Sequence, residues 1–402
     1  MIAGANRQDE RIAKMVLFAL AFLSLAWCTL FVFFSDVCQC RSVFFGNADE
    51  NFFNDFFVPR AVSRMPNPYI EDCFSEWLDY RIVRRLDQCY PALANYWVGL
   101  FPENLIGAMV CTSIGMMIYI WGLIVFFRRI IPDKVALATS VACCSAPFLF
   151  AFGVGNLVFY AAGFSLVFIA WYDSPITWRK YVAALMLALA IVLKITPAVL
   201  GMFYLCKLKN HQLRYLIVAI AAAFLFFFVP FLFCGGIASI LTWFHNSSMN
   251  SIEYAGANRF GLFGFVAELS DSFAIGLGGG TRFALRLAST VIGLGVLVVG
   301  WRFGDKLWDK GCSAVLGMLF IPPTMMSYTS LYIIPFVISG MYHSNDRIRK
   351  VAAVYCLSLC ALLRMPLYYG SANVCFAAAA SVDLAFALSL MLINTGWDRN
   401  AV

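Results

Sequence analysis

The sequence predicts an all-α polytopic membrane protein, and three observations predict it. Hydrophobic residues fill 62% of the 402 positions and charged residues only 13%, about half the charged share of a soluble globular domain. The apolar runs are continuous and long enough to cross a bilayer as helices, without the alternation that barrel strands require. The lysines and arginines gather in short clusters between those runs. Such clusters set membrane topology, so the net charge of +7 is not the mark of a nucleic-acid partner.

The elements follow in order. The run IAKMVLFALAFLSLAWCTLFVFF (12–34) is longer than a signal-peptide core and lacks a small-residue cleavage site, so it is expected to stay as a helix. Basic clusters occur at Arg7/Arg11/Lys14, Arg128/Arg129/Lys134, Arg179/Lys180, Lys207/Lys209/Arg214, Arg302/Lys306/Lys310 and Arg347/Arg349/Lys350. Assigning all of them to the cytoplasm places both termini there, makes 35–103 a long first external loop and 234–282 a second external region. Crossings are expected at 104–127, 135–152, 156–172, 215–233, 283–301, 351–369 and 373–394. Segments 181–206 and 312–342 need separate treatment. The first is flanked by basic clusters at both ends, yet two full crossings take about 40 residues. It is therefore expected to be a pair of short helices broken around Lys194-Ile195-Thr196-Pro197, where Pro197 removes a backbone donor. Segment 312–342 repeats the pattern around Pro322-Pro323. The whole chain, 1–402, reads as a single membrane domain of about 10–13 transmembrane or re-entrant helices.

Charges away from the cytoplasmic clusters carry the functional argument. Eleven of the 29 basic residues are of this kind: Arg41, Arg60, Arg64, Arg81, Arg84, Arg85, Lys194, Arg259, Arg282, Arg286 and Arg364. A lysine at a helix break inside the membrane is a functional candidate by default. The first external loop also holds Asp49, Glu50 and Asp55. Apolar residues at helical spacing over 71–93 predict an amphipathic helix lying on the outer surface. The stretch WFHNSSMNSIEYAGANRFGLFGF (243–265) combines amides, hydroxyls and aromatic rings, the groups that bind sugars, around Asn258 and Arg259. Asn246-Ser247-Ser248 also fits the N-glycosylation triplet. The three histidines are scattered, and no His/Cys/Asp cluster has metal-ligand spacing, so neither a metal nor a cofactor is expected. Cys38, Cys40, Cys73 and Cys89 share the first loop; they allow two disulfides in any of three pairings, or free thiols.

Four stretches, taken in series, carry a resemblance. They are DFFVPRAVSRMPNPY (55–69), YPALANYWVGLFP (90–102), FGVGNLVFYAAGFSL (152–166) and ALMLALAIVLKITPAVLGMFYL (184–205). Their order and spacing over most of residues 10–340 resemble the membrane mannosyltransferases of glycosyltransferase family 87, of the GT-C class. Pro59-Arg60 stands where relatives carry a tyrosine, Val154 replaces a glutamine, and PPTMMSYTSLYIIP (322–335) lacks a histidine found late in many relatives.

The resemblance implies a GT-C-like helical bundle and inverting transfer of a hexose, mannose foremost. The donor would be a polyprenyl-phosphate sugar, the acceptor a lipid or glycan, and the site would lie on the outer face of a bacterial-type plasma membrane. Asp55 matches the family aspartate and is the expected general base, with Asp49 and Glu50 as rivals. Lys194, Arg259, Arg282 and Arg60 are candidates to meet the donor phosphate, with Arg286 and Arg364 behind them. Asn258, Asn156 and Tyr328 are candidates to meet sugar. A polyprenyl-linked lipid transporter or flippase, and a polysaccharide polymerase or ligase, are the alternatives that the composition leaves open.

Overall fold

The structure is a computed structural model that describes residues 53–64, 68–69, 77–78, 81–82, 90–143, 145–206, 210–253, 259–260, 278–303, 307–321 and 325–343. The expected segments 12–34, 351–369 and 373–394 lie outside the described residues, as do Asp49, Glu50, Asn258, Arg364 and the four loop cysteines. What is described is helical apart from two ladders of two-residue strands. Three helices, at Leu105–Ile130, Gln212–Leu232 and Gly279–Gly300, are long and apolar enough to cross a membrane, and Val158–Trp171 and Thr196–Leu205 are shorter apolar helices. The Gln212–Leu232 helix exposes Ile217, Ile220, Phe224, Leu225 and Val229. An outward apolar face of that extent suits hydrocarbon and not water. The protein is an all-α polytopic membrane protein.

The chain forms two compact units. One comprises Phe44–Phe126 and Phe150–Tyr254. It holds helix α1 (Asn54–Val62), strands β1 (Trp77–Leu78) and β2 (Arg81–Ile82), α2 (Ala92–Gly99) and most of α3 (Leu105–Ile130). The chain then passes through the other unit as α4 (Val135–Cys143) and returns along α5 (Ala146–Val154). There follow α6 (Val158–Trp171), α7 (Thr177–Leu193), a 3₁₀ stretch at Thr196–Gly201, α8 (Met202–Cys206), α9 (Asn210–Leu232) and α10 (Gly236–Glu253). Helix α7 packs between α6 and α9, and α1 packs on α2. Backbones of α3 and α6 nearly touch: a Cβ on Gly122 would sit 2.6 Å from the Gly163 carbonyl oxygen. Small residues permit such approach, the usual way membrane helices gain packing when lipid offers no hydrophobic contrast. Aromatic rings fill the wider gaps, with Phe168 5.3 Å from Tyr204 and Tyr172 5.2 Å from Phe203.

Several local expectations are corrected. Residues 77–82 do not continue an amphipathic helix; Trp77 pairs with Ile82 and Leu78 with Arg81 in an antiparallel ladder. Aromatic and β-branched side chains on either side of Asp79-Tyr80 favour a hairpin as much as their spacing favours a helix. The rest of 71–89 lies outside the described residues. Segment 135–152 is not one helix: α4 ends at Cys143 and α5 starts at Ala146, beside Pro147, whose missing N–H is harmless only at a helix start. Residues 243–253, part of the second external region expected from sequence, are helical and lie in α10. Trp243 packs 5.2 Å from Phe227, and the cluster of Tyr69, Ala92, Phe231, Cys234, Ile240 and Trp243 outweighs the weak helix preference of the Asn and Ser residues. Asn246 is 2% exposed there, so the glycosylation triplet offers no accessible acceptor. Gly235 and Gly236, both left-handed at φ 97° and 66°, make the reversal between α9 and α10.

The break at Lys194 does occur. Helix α7 stops at Leu193, Lys194 is extended at φ −147° and ψ 115°, and the chain resumes as a 3₁₀ turn with Pro197 in its first turn.

The second unit comprises Met1–Val43, Phe127–Leu149 and Ala255–Val402. Its described part contains α4, β3 (Arg259–Phe260), α11 (Gly279–Phe303), α12 (Leu307–Phe320), β4 (Met325–Met326), a 3₁₀ stretch at Ser327–Tyr332 and α13 (Ile334–His343). Strand β3 pairs with β4. Helices α11 and α12 pack through small residues: Ser313 Oγ donates to the Val296 carbonyl at 2.6 Å, and a Cβ on Gly300 would lie 1.9 Å from Ser313 Oγ. Replacing Gly300 with Leu is expected to destabilise the detergent-solubilised protein by about 1–3 kcal/mol. Gly295→Leu, at an exposed position with nothing within 4 Å, should shift stability by no more than ~0.5 kcal/mol. Thermal unfolding of the two variants side by side checks the contrast.

Candidate active site

The site is built where helices stop. Helix α5 closes on a left-handed Gly155 at φ 69°. Gly155 N–H donates to the Phe152 carbonyl at 3.1 Å and Asn156 N–H to the Ala151 carbonyl at 3.0 Å. Those two bonds form a Schellman closure, which satisfies carbonyls that the helix end would otherwise orphan. A Cβ on Gly155 would meet Phe53 Cδ1 at 2.8 Å, so glycine is demanded by space as well as by φ.

Helix α1 docks onto this turn. Phe53, itself left-handed at φ 56°, precedes the helix and donates its N–H to the Gly153 carbonyl at 2.8 Å. Asp55 follows in the first turn of α1, where the helix dipole favours a negative side chain. The Asn156 amide, 1% exposed, reaches across the turn and donates from Nδ2 to Asp55 Oδ2. Its Oδ1 accepts the Val158 N–H at 2.8 Å, capping the start of α6.

Two more side chains complete the cluster. Tyr90, 8% exposed and just ahead of Pro91 and α2, places its hydroxyl 3.4 Å from Asn156 Nδ2. Lys194 Nζ, at the end of α7, donates to the same hydroxyl at 3.3 Å and lies 4.5 Å from the centre of the Tyr90 ring. A cation over an aromatic face gains electrostatic attraction, more when water is excluded. Tyr90 is held in turn, because its carbonyl accepts the Tyr69 hydroxyl at 2.8 Å, and that hydroxyl accepts Asn95 Nδ2 at 2.8 Å.

The arrangement brings Asp55, Asn156 and Lys194 together around Tyr90: Asp55 and Asn156 are bonded across 101 positions, and Tyr90 and Lys194 across 104. It can offer a carboxylate to take a proton and an ammonium to meet an anion. Tyr90 was not among the residues singled out from sequence; its one signal is the Tyr-Pro pair that opens α2. Arg60 is engaged in scaffolding. Its Nε donates to the Phe101 carbonyl at 2.7 Å and its Nη1 to Ser63 Oγ at 3.1 Å. Burial pushes this guanidinium below its usual range, Arg64 adds to that, and Glu103, which pairs with Arg64, opposes it. Arg259, Arg282 and Tyr328 belong to the second unit: Arg259 is paired with Met326 in the β3–β4 ladder, Arg282 opens α11, and Tyr328 lies in the 3₁₀ stretch before α13. Among the described residues no group of three His, Cys, Asp or Glu could hold a metal ion.

Tyr69→Phe removes the hydroxyl that joins Asn95 to the Tyr90 carbonyl, so both hydrogen bonds are lost within a buried cluster. A stability loss of about 1–3 kcal/mol is expected, measurable as a lowered midpoint of thermal unfolding in detergent.

A model of glycosyltransferase family 87 matches residues 91–327. No curated protein matches the chain.

Proposed function

The chain belongs to glycosyltransferase family 87, and from that premise we propose that it moves a hexose, mannose foremost, from a polyprenyl-phosphate donor to a lipid or glycan acceptor. It is a membrane glycosyltransferase. The proposed reaction inverts the anomeric centre on the outer face of a bacterial-type plasma membrane, with both termini in the cytoplasm. The observation that carries it is the hydrogen-bonded set of Asp55, Asn156, Tyr90 and Lys194.

In this reading Asp55 accepts the proton of the acceptor hydroxyl as its oxygen attacks the anomeric carbon. The bond from that carbon to the phosphate oxygen breaks, and the polyprenyl phosphate leaves with the bonding pair. Charge develops on the phosphate, so a nearby fixed cation lowers the barrier. Lys194 supplies a point charge in the same cluster as the base. Arg259, Arg282 and Arg286 remain proposed phosphate contacts, and Asn258 and Tyr328 proposed sugar contacts. Arg60, engaged with Phe101 and Ser63, is a weaker candidate than Lys194. Asp49 and Glu50 are the alternative bases.

The test is sugar transfer by purified protein in detergent. Radiolabelled polyprenyl-phosphate-mannose and polyprenyl-phosphate-glucose would be supplied separately, with a membrane lipid extract as acceptor. Asp55→Asn is expected to cut transfer by about 10²–10⁴-fold, and Lys194→Met by on the order of 10²-fold, with folded yield unchanged. Full transfer by Asp55→Asn would move the base to Asp49 or Glu50. No transfer from either donor by folded wild-type protein, together with altered lipid export in cells, would favour a transporter.

A further inference from the structure

Resting on that reading, we propose that Asn156 is a positioning residue: it grips one carboxylate oxygen of Asp55 so that the base meets the acceptor hydroxyl in a single orientation. This role differs from the sugar contact expected of Asn156 from sequence.

The side chain is committed at both ends. Its Oδ1 accepts the Val158 N–H at 2.8 Å. A backbone N–H can only donate, so the amide oxygen must face it and the NH₂ group must face the other way. That NH₂ group carries two donors, and it meets Asp55 Oδ2 and the Tyr90 hydroxyl. With 1% of its surface exposed, Asn156 has neither a spare polar atom nor an open face to offer a sugar hydroxyl. Asp55 is more exposed than Asn156, so the group that is gripped can meet substrate while the group that grips cannot.

The grip is rigid because its base is rigid. Asn156 sits on the Schellman closure of α5, Gly155 is packed against Phe53, and Phe53 N–H is bonded to the Gly153 carbonyl. Asp55 lies two residues beyond Phe53. Backbone and side chain thus fix the carboxylate from two sides. Holding a reacting group in place before the reaction removes orientational freedom that would otherwise raise the barrier.

The test compares wild type, Asn156→Asp, Asn156→Ala and Asp55→Asn in the transfer assay, with kcat and donor KM measured separately across pH. Asn156→Asp is close in shape and keeps an acceptor for the Val158 N–H, so the turn is retained. It loses the donor to Asp55 and sets a second carboxylate beside it. A kcat lowered by on the order of 100-fold near neutral pH is expected, with donor KM little changed. Lowering the pH should restore part of the rate, because two adjacent carboxylates share a proton and the introduced acid can then donate its O–H to Asp55. Among the described residues Asp55 and the Tyr90 hydroxyl bond this side chain, and Lys194 bonds that hydroxyl in turn; the wild-type profile run alongside accounts for all three. Asn156→Ala should show the lowered kcat without acid recovery.

A raised donor KM with kcat retained in Asn156→Ala would overturn the proposal and make Asn156 a sugar contact. Wild-type kcat in both variants would overturn it as well. Loss of folded protein in both, judged by gel filtration and melting temperature, would also overturn it by making Asn156 a residue of the fold alone. Wild-type transfer by Asp55→Asn is a separate result, and it would remove the assignment of Asp55 as base.

Discussion

Every buried backbone group has to find a partner within the protein, and the Gly153–Asn156 turn shows how this chain meets that demand. Ending α5 there exposes carbonyls, and starting α6 exposes amides. The Schellman closure takes the Phe152 and Ala151 carbonyls, Phe53 takes the Gly153 carbonyl, and the Asn156 side chain takes the Val158 amide. Helix α1 is docked by the same bonds that repair the break. Asp55 reaches Asn156 because the turn needed a partner from α1.

The Lys194 break has a parallel logic. A lysine within an apolar segment is costly unless its charge is met. Here its ammonium lies over the Tyr90 ring and donates to its hydroxyl. Tyr90 can present that face because the Tyr69 hydroxyl holds its carbonyl and Pro91 starts α2 directly after it. Anion and cation therefore approach one tyrosine from different elements, with Asn156 between Asp55 and the phenol. The proposed transfer draws on such fixed groups, which would need no reorganisation at the moment of reaction.

Much of the architecture was legible in the sequence, and what was not has physical reasons. The spanning helices were visible because 18 or more apolar residues in a row have few other fates. The Lys194-Pro197 break was visible because charge and proline coincide. The Pro147 break was missed because an apolar run conceals a proline that sits at a helix start. Residues 77–82 were misread because six residues of mixed pattern fit a period of 2 about as well as 3.6. Helix α10 was hidden because its stability comes from Trp243 packing on Phe227 and Phe231, contacts made by a different helix. Of the site, Asp55, Asn156 and Lys194 stood out by residue type, position and resemblance. Tyr90 did not, since one tyrosine among 17 carries no mark of its neighbours. Arg60 had the right charge, but only coordinates reveal that the Phe101 carbonyl already holds it.

The order of these residues along the chain has a consequence for biosynthesis. A polytopic protein is threaded into the bilayer from its N-terminal side, and Asp55, Tyr90, Asn156 and Lys194 emerge in that sequence. Asp55 and Asn156 are bonded across 101 positions, Tyr90 and Lys194 across 104, so neither contact can form while the ribosome is still on the first segments. The helix breaks that carry the site are also the stretches of backbone least able to stand alone in lipid. Most of their repair is local, and the distant partner is Phe53, which was made earlier and bonds the Gly153 carbonyl. The acid and the amide can meet only once Asn156 is made, and the phenol and the ammonium only once Lys194 is made, so this set of side chains is completed last at the α7 break.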